Sequence, residues 1–220
     1  MERKIILTAD GSHTLFVPEL DEHFHSVHGA IQESMHVFIQ NGLNASTKKE
    51  LCIFEVGFGT GLNALLTLAN QDEKHIRYFS IEKYPLNEAE YSKLNFANLL
   101  SEELAGKFQK MHAGSWNQPH LIAPNFELTK LNSDLTTFNV SSLPTFDLIY
   151  FDAFAPNKQA DMWSEDIFRK LASHTNFGGI FVTYCAQGEV RRKLIRSGFN
   201  MKRIPGPPGK KEMLFGEKME

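Results

Sequence analysis

Several large protein classes are excluded by what the 220-residue chain lacks. It has two cysteines, Cys52 and Cys185, and both fall in segments that read as central strands. Buried thiols are expected there, not a disulfide or a metal site. No apolar run approaches the ~18 residues of a membrane span, and Met1 to Leu7 is too short and too soon interrupted for a signal peptide. The expected location is the cytoplasm, away from any membrane. Internal repeats and low-complexity linkers are missing. Residues 1–220 are therefore expected to form one domain, with 1–45 as an N-terminal appendage on a core of 46–220. A hydrophobic content of 42% is enough for that domain to bury a real core.

Acidic residues are also missing between Arg191 and Lys211, where eight basic ones occur: Arg191, Arg192, Lys193, Arg196, Lys202, Arg203, Lys210 and Lys211. The net charge of −3 argues against a protein that coats nucleic acid, but this local run reads in two ways. It is either a solvated helix face or a phosphate-binding face on an otherwise acidic molecule.

The chain is organised around Glu55-Val56-Gly57-Phe58-Gly59-Thr60-Gly61, which follows the apolar run Leu51 to Phe54 and leads into Leu62 to Leu68. That order reads as strand, tight turn and helix N-terminus, the opening of a nucleotide-binding α/β unit. Two common ligands fit poorly. A phosphate-cradling loop needs Gly-Lys-Ser/Thr, which is absent, and a dinucleotide fingerprint needs a small third residue where Leu62 stands. The acid two positions ahead of the glycines suits a ligand with an ammonium and hydroxyls, and S-adenosylmethionine carries both. An ordinary glycine-rich turn is the alternative.

Before this unit, Ile5 to Thr8 and Thr14 to Val17 read as a hairpin around Asp10-Gly11. His23, His25 and His28 follow without a carboxylate or cysteine at ligand spacing, so no metal is expected. A helix is expected from about Ser26 to Gln40, with Val27, Ile31, Met35 and Phe38 on one face, either as core packing or as a cover over the site. From Leu51 onward strands alternate with helices, the signature of a mostly parallel sheet covered on both faces. The strand Ile76 to Ile81 ends at Glu82, placed either to accept ribose hydroxyls or simply to open the next turn. The strand Phe126 to Leu131 leads to Asp134, a candidate acceptor for an adenine amino group and equally a turn aspartate. The strand Phe146 to Phe151 runs into Asp152, the strongest catalytic candidate, with Phe154 and Pro156 just beyond it. A strand from Phe177 to Cys185, a basic helix from Gln187 and a closing hairpin complete the reading.

Three stretches together resemble the methyltransferase part of the MnmC enzymes, which act in 5-methylaminomethyl-2-thiouridine biosynthesis in bacterial tRNA. They are Phe54 to Asn63, Asp152-Ala153-Phe154-Ala155-Pro156 with Asp161-Met162-Trp163, and Pro208 to Leu214. Ala153 stands where many relatives have glycine. The resemblance implies a Rossmann-like S-adenosylmethionine-dependent methyltransferase fold, α/β, with a mostly parallel seven-stranded sheet, a late antiparallel strand and an N-terminal hairpin-helix appendage. It implies N-methylation of 5-aminomethyl-(2-thio)uridine at the tRNA wobble position, in a stand-alone form without the flavin oxidase domain, so no flavin is expected. Asp152 would orient the amine and receive its proton. Glu55 and Glu82 would hold the amino-acid and ribose ends of the cofactor over Gly57, Gly59 and Gly61, with Asp134 at the adenine. Phe154 would stack on the splayed base, and Arg191, Arg192, Lys210 and Lys211 would hold anticodon-loop phosphates. A methyltransferase acting on a small amine or a protein, and a non-catalytic RNA-binding module, are the alternatives.

Overall fold

Each apolar strand of the core finds cover on both faces, and the order in which the strands pair sets where the site lies. The computed structural model describes residues 2–220. The chain opens with β1 (Lys4–Leu7) and β2 (His13–Val17), antiparallel with Ile5 opposite Leu15, and the short β3 (Glu22–His23) extends this sheet. The expected hairpin is present, its turn held by the Asp10 carboxylate, which accepts from the Thr8 hydroxyl and the Ser12 N–H. The helix after it starts later than the periodicity suggests. Gly29, at φ 143°, interrupts the backbone, so α1 covers Ala30–Ser34 and widens into a π-helical turn, Met35–Gln40. Val27 is thus left exposed, whereas Val37, Phe38 and Ile39 are buried.

The core follows in alternation: β4 (Glu50–Val56), α2 (Leu62–Ala69), β5 (His75–Glu82), α3 (Glu88–Tyr91), α4 (Phe96–Leu100) and α5 (Glu103–Ala113). Next come β6 (Pro119–Ala123), β7 (Phe126–Asn132), β8 (Phe146–Phe151), α6 (Glu165–Ala172), β9 (Thr175–Thr183), α7 (Gly188–Arg196), β10 (Phe199–Pro205) and β11 (Glu212–Lys218). The sheet order is β10-β11-β9-β8-β4-β5-β7-β6. The inner strands from β9 to β7 are parallel; β11 and β10 close one edge antiparallel, and β6 closes the other. The sheet therefore has eight strands where seven were expected. The additional one, β6, is a short edge strand opened by a proline, which an edge position tolerates because no ladder N–H is required there.

Period-two alternation sorts the side chains of β4 onto two cores. Leu51 and Ile53 pack with α2, α4 and α5, whereas Cys52, Phe54 and Val56 pack toward α6 and α7. Glu55 consequently faces α2. The chain leaves β4 for β5 and β7 in one direction and returns to β8 and β9 on the other side, so the order reverses between β4 and β8. Ligands in open α/β sheets bind outside the strand ends at such a reversal.

Candidate active site

The loop after β4 and the residue after β8 meet at this reversal. The Asp152 N–H donates to the Val56 carbonyl at 3.0 Å, and a Cβ on Gly57 would lie 2.8 Å from the Asp152 carbonyl oxygen. Gly57 has φ 92°, so both its conformation and this close approach require glycine. The loop is braced from below and from the appendage: His112 Nε2 meets the Thr60 carbonyl at 3.0 Å, and His25 Nε2 meets the Thr60 hydroxyl at 2.7 Å. His25 is thereby used as a buried strut; burial pushes it down to about 4, so it holds this contact uncharged at neutral pH. Among the described residues no group of three or more His, Cys, Asp or Glu side chains is arranged to hold a metal ion.

A cavity of about 730 Å³ opens above the loop, with Gly57, Gly59, Glu82, Asp134, Asp152, Phe154 and Lys210 in its wall. The appendage supplies a further side of it through Arg3, Phe24, His25 and Glu33. Glu82 closes the end of β5: one carboxylate oxygen accepts from the Gly59 N–H at 3.0 Å and the other from the Tyr84 N–H at 2.8 Å. Each oxygen keeps a further lone pair, the acceptor a ribose hydroxyl requires. Asp134 pairs with Lys83 at 2.8 Å and accepts from the N–H and hydroxyl of Thr136. The Lys83 ammonium holds it down to about 2, so it is a turn aspartate and a cavity anion at once. Phe154 meets Phe24 edge to face at 5.1 Å.

Asp152 receives a hydrogen bond from the Asn63 amide at 2.9 Å, which favours its charged form, but burial outweighs this and lifts it to about 7. The Glu33 carboxylate raises it further and the Lys210 ammonium opposes. Glu33 and Lys210 are themselves paired at 2.6 Å, and the ammonium also lies 3.9 Å from the Tyr184 ring centroid. A carboxylate near the operating pH, in a cavity with an oriented hydrogen-bond donor, can take a proton from a bound amine.

Several expected site residues lie away from the cavity wall or turn to partners within the chain. Glu55 does not reach the cavity: it is fully buried behind the loop, because strand alternation turns it toward α2, and its Oε2 accepts from the Ser80 hydroxyl at 2.5 Å. Arg191 and Arg192 lie away from the cavity, on α7. Arg191 Nε donates to the Met201 carbonyl at 3.2 Å and Arg192 binds Glu189 at 2.7 Å; neither borders the cavity. Glu189 and Glu212, just outside the acid-free window, and Glu165 from α6 take up Arg192, Arg196 and Arg203. Lys210 turns inward to Glu33 and not outward, whereas Lys211 is exposed. Gly61 lies behind the wall as the N-cap of α2, at φ 74°. The residues that sequence reasoning passed over are Asn63, Glu33, Tyr184 and Phe24. Asn63 alone left a signal, as a polar residue four positions before Thr67 in an otherwise apolar helix, with both buried.

Residues 100–219, more than half of the chain and including Asp152 to Pro156, match a family model described as S-adenosyl-L-methionine-dependent methyltransferase. The chain belongs to this family. S-adenosylmethionine is accordingly its cofactor, and the anionic end of β5, the open glycine backbone and the cavity volume fit it. Among curated proteins the chain is similar to the tRNA 5-methylaminomethyl-2-thiouridine biosynthesis bifunctional protein MnmC of Burkholderia multivorans, 33% identical over 93% of this chain and 33% of that protein. The protein of the same name from Leptospira borgpetersenii is 32% identical over 90% of this chain and 32% of its own length. The chain thus spans about a third of the length of these relatives. Among solved structures it resembles MNMC2 from Aquifex aeolicus, with TM-score 0.82 and 24% identity over 100% of this chain and 71% of that one. Spermidine synthase from Thermotoga maritima shares the fold more distantly, with TM-score 0.56 and 11% identity over 100% of this chain and 72% of that one. The methyltransferase reading and the Rossmann-like fold therefore stand. Among the described residues no helix is long and apolar enough to cross a membrane.

Proposed function

We propose that this methyltransferase acts on the amino nitrogen of 5-aminomethyl-(2-thio)uridine at the wobble position of tRNA, giving the 5-methylaminomethyl nucleoside. The observation that carries the reading is Asp152, a carboxylate lifted to about 7 and oriented by Asn63 in the cavity beside the glycine loop. The printed names of the curated relatives supply the substrate class. Bound S-adenosylmethionine supplies an electrophilic methyl group on its sulfonium. Glu82 would accept the ribose hydroxyls, Asp134 the adenine amino group, and Gly57 and Gly59 would let the ligand lie against the backbone. Asp152 would hold the substrate amine through the oxygen that Asn63 leaves free and take its proton, so that the nitrogen presents a lone pair. Phe154 and Phe24 would flank the splayed base, with Lys211 and Lys202 outside for phosphates. We take residues 1–220 as a single methyltransferase domain working in the cytoplasm and assign it the methylation step.

Ion pairing of Arg192, Arg196 and Arg203 favours one second reading, a small amine or a protein side chain as substrate. Purified protein given labelled S-adenosylmethionine and tRNA from cells able to make the aminomethyl precursor decides between them. Labelled 5-methylaminomethyl nucleoside in the digest is the expected result; label transferred to small amines but not to tRNA would replace it.

A further inference from the structure

Arg3, just ahead of β1, brings into the cavity wall a cation that no step of the proposed chemistry uses. Its side chain is only 7% exposed. Nη2 donates to the Tyr84 carbonyl at 2.6 Å, and Nη1 donates to the two Glu90 carboxylate oxygens at 3.1 and 3.0 Å and lies 3.5 Å from the Pro85 carbonyl. All these acceptors stand between the end of β5 and the end of α3.

That segment needs support from outside. Among the described residues Tyr84, Pro85 and Leu86 make no hydrogen bond to other backbone, and Pro85 has no N–H to offer. Tyr84 is held by side chains instead: Arg3 donates to its carbonyl, and its N–H donates to the Glu82 carboxylate at 2.8 Å. The other oxygen of Glu82 accepts from the Gly59 N–H at 3.0 Å. Against Gly59 lies Phe24, since a Cβ on that glycine would stand 3.1 Å from Phe24 Cδ1, and the Phe24 ring centroid is 6.0 Å from the Arg3 guanidinium carbon. The circuit closes: Arg3, Tyr84, Glu82, Gly59, Phe24 and back to Arg3. Every member borders the cavity.

The direction of the Glu82 carboxylate follows from this circuit. Two N–H groups aim it, one from the glycine loop and one from Tyr84, and the second is only as steady as the loop that carries it. Without the guanidinium, Tyr84 loses the partner of its carbonyl, and the lone pairs that Glu82 offers to a ribose lose their aim. Lysine replaces it in part: an ammonium is a point donor, whereas the planar guanidinium reaches Tyr84 and Glu90 from different nitrogens.

We infer that Arg3 is a positioning residue for the cofactor: it acts through Tyr84 to aim Glu82, and so makes the N-terminal appendage a working part of the S-adenosylmethionine site. This rests on the reading of Glu82 as the acceptor for the ribose hydroxyls.

The test is calorimetry of S-adenosylmethionine binding to the full chain, with thermal midpoints measured alongside, for Arg3→Met, Arg3→Lys, Glu82→Ala and the Arg3→Met/Glu82→Ala double variant. Arg3→Met is expected to weaken binding about tenfold, and Arg3→Lys by a smaller factor. In the Glu82→Ala background the Arg3→Met change is expected to cost less than about threefold, because its route to the ligand is already gone. A role in folding alone would give the same factor in both backgrounds. Wild-type affinity in Arg3→Met, or an undiminished loss in the double variant, would overturn the inference. Should Arg3→Met fail to fold, Arg3→Lys alone and with Glu82→Ala makes the same comparison and is judged in the same way. Wild-type affinity in Glu82→Ala would instead remove the ribose reading, and the inference with it.

Discussion

The Asn63 amide donates to the Asp152 carboxylate across 2.9 Å, joining the first turn of α2 to the residue that leaves β8. The glycine loop and Asp152 come from segments nearly a hundred positions apart, and this bond fixes how the second is aimed relative to the first.

Asp152→Asn is expected to lower turnover by roughly 10²–10⁴-fold while S-adenosylmethionine binding stays near wild type. Single-turnover kinetics and calorimetry read the two effects separately. In the wild type, kcat/KM should rise with pH through about 7, since the base form accumulates as Asp152 loses its proton.

Glu33 and Lys210 act on Asp152 with opposite signs, which gives a paired expectation. Lys210→Met removes a cation that favours the charged form, so the acid limb of the profile should move to higher pH. Glu33→Gln removes an anion that opposes it, so the limb should move lower. Shifts in the same direction would show that the pair acts on folding and not on Asp152.

Glu82→Ala should weaken S-adenosylmethionine binding by about 10–100-fold, the loss of charge-assisted hydrogen bonds worth about 1.5–3 kcal/mol. Calorimetry measures it directly. Glu82→Gln retains an acceptor for one hydroxyl and should fall between.

For tRNA, the ion pairs redistribute the expectation along the basic run. Lys202→Ala and Lys211→Ala should each reduce the slope of log K against log salt by about one, because both are exposed. Arg191→Ala and Arg192→Ala should reduce the slope by less, since Arg191 Nε is held by the Met201 carbonyl and Arg192 is paired with Glu189. A filter-binding series in sodium chloride distinguishes the four.

Folding stability should carry the imprint of Glu55. Its native value of about 8 lies above the ordinary carboxyl range, so the folded state holds a proton that the unfolded chain has lost between those values. The associated stability is present in full below the unfolded value and is lost as pH rises toward 8, at up to ~1.4 kcal/mol per unit. Urea unfolding of Glu55→Gln should lack this part of the slope.

The sheet and its glycine loop were legible because buried parallel strands read as apolar runs, and because three glycines at alternate positions have few uses outside a ligand turn. Asp152 was legible because it ends such a run. Glu55 was half legible: alternation predicts its face, but both faces of β4 are covered, and nothing local says whether the carboxyl turns to the loop or to α2. The basic run misled because Glu189, which pairs with Arg192, and Glu212, which pairs with Arg203, lie just outside the counted window, and Glu165, which pairs with Arg196, lies on another helix. Gly29 was visible as a residue, but not its φ of 143°, which delays the start of the expected helix to Ala30, nor the close approach of the Asp10 carboxylate to the place a Cβ would occupy.

The wall contributed by the appendage has a consequence for how the molecule comes into being. Lys210 and Glu33 are 177 positions apart, and Arg3 reaches Glu90 across 87. Contacts of such separation carry the full entropy of closing the chain and are the slow ones to form. A nascent chain that has already emitted the glycine loop and Asp152 still lacks the Lys210 partner of Glu33 until the turn between β10 and β11 emerges, so that wall of the pocket is secured later than the residues it faces.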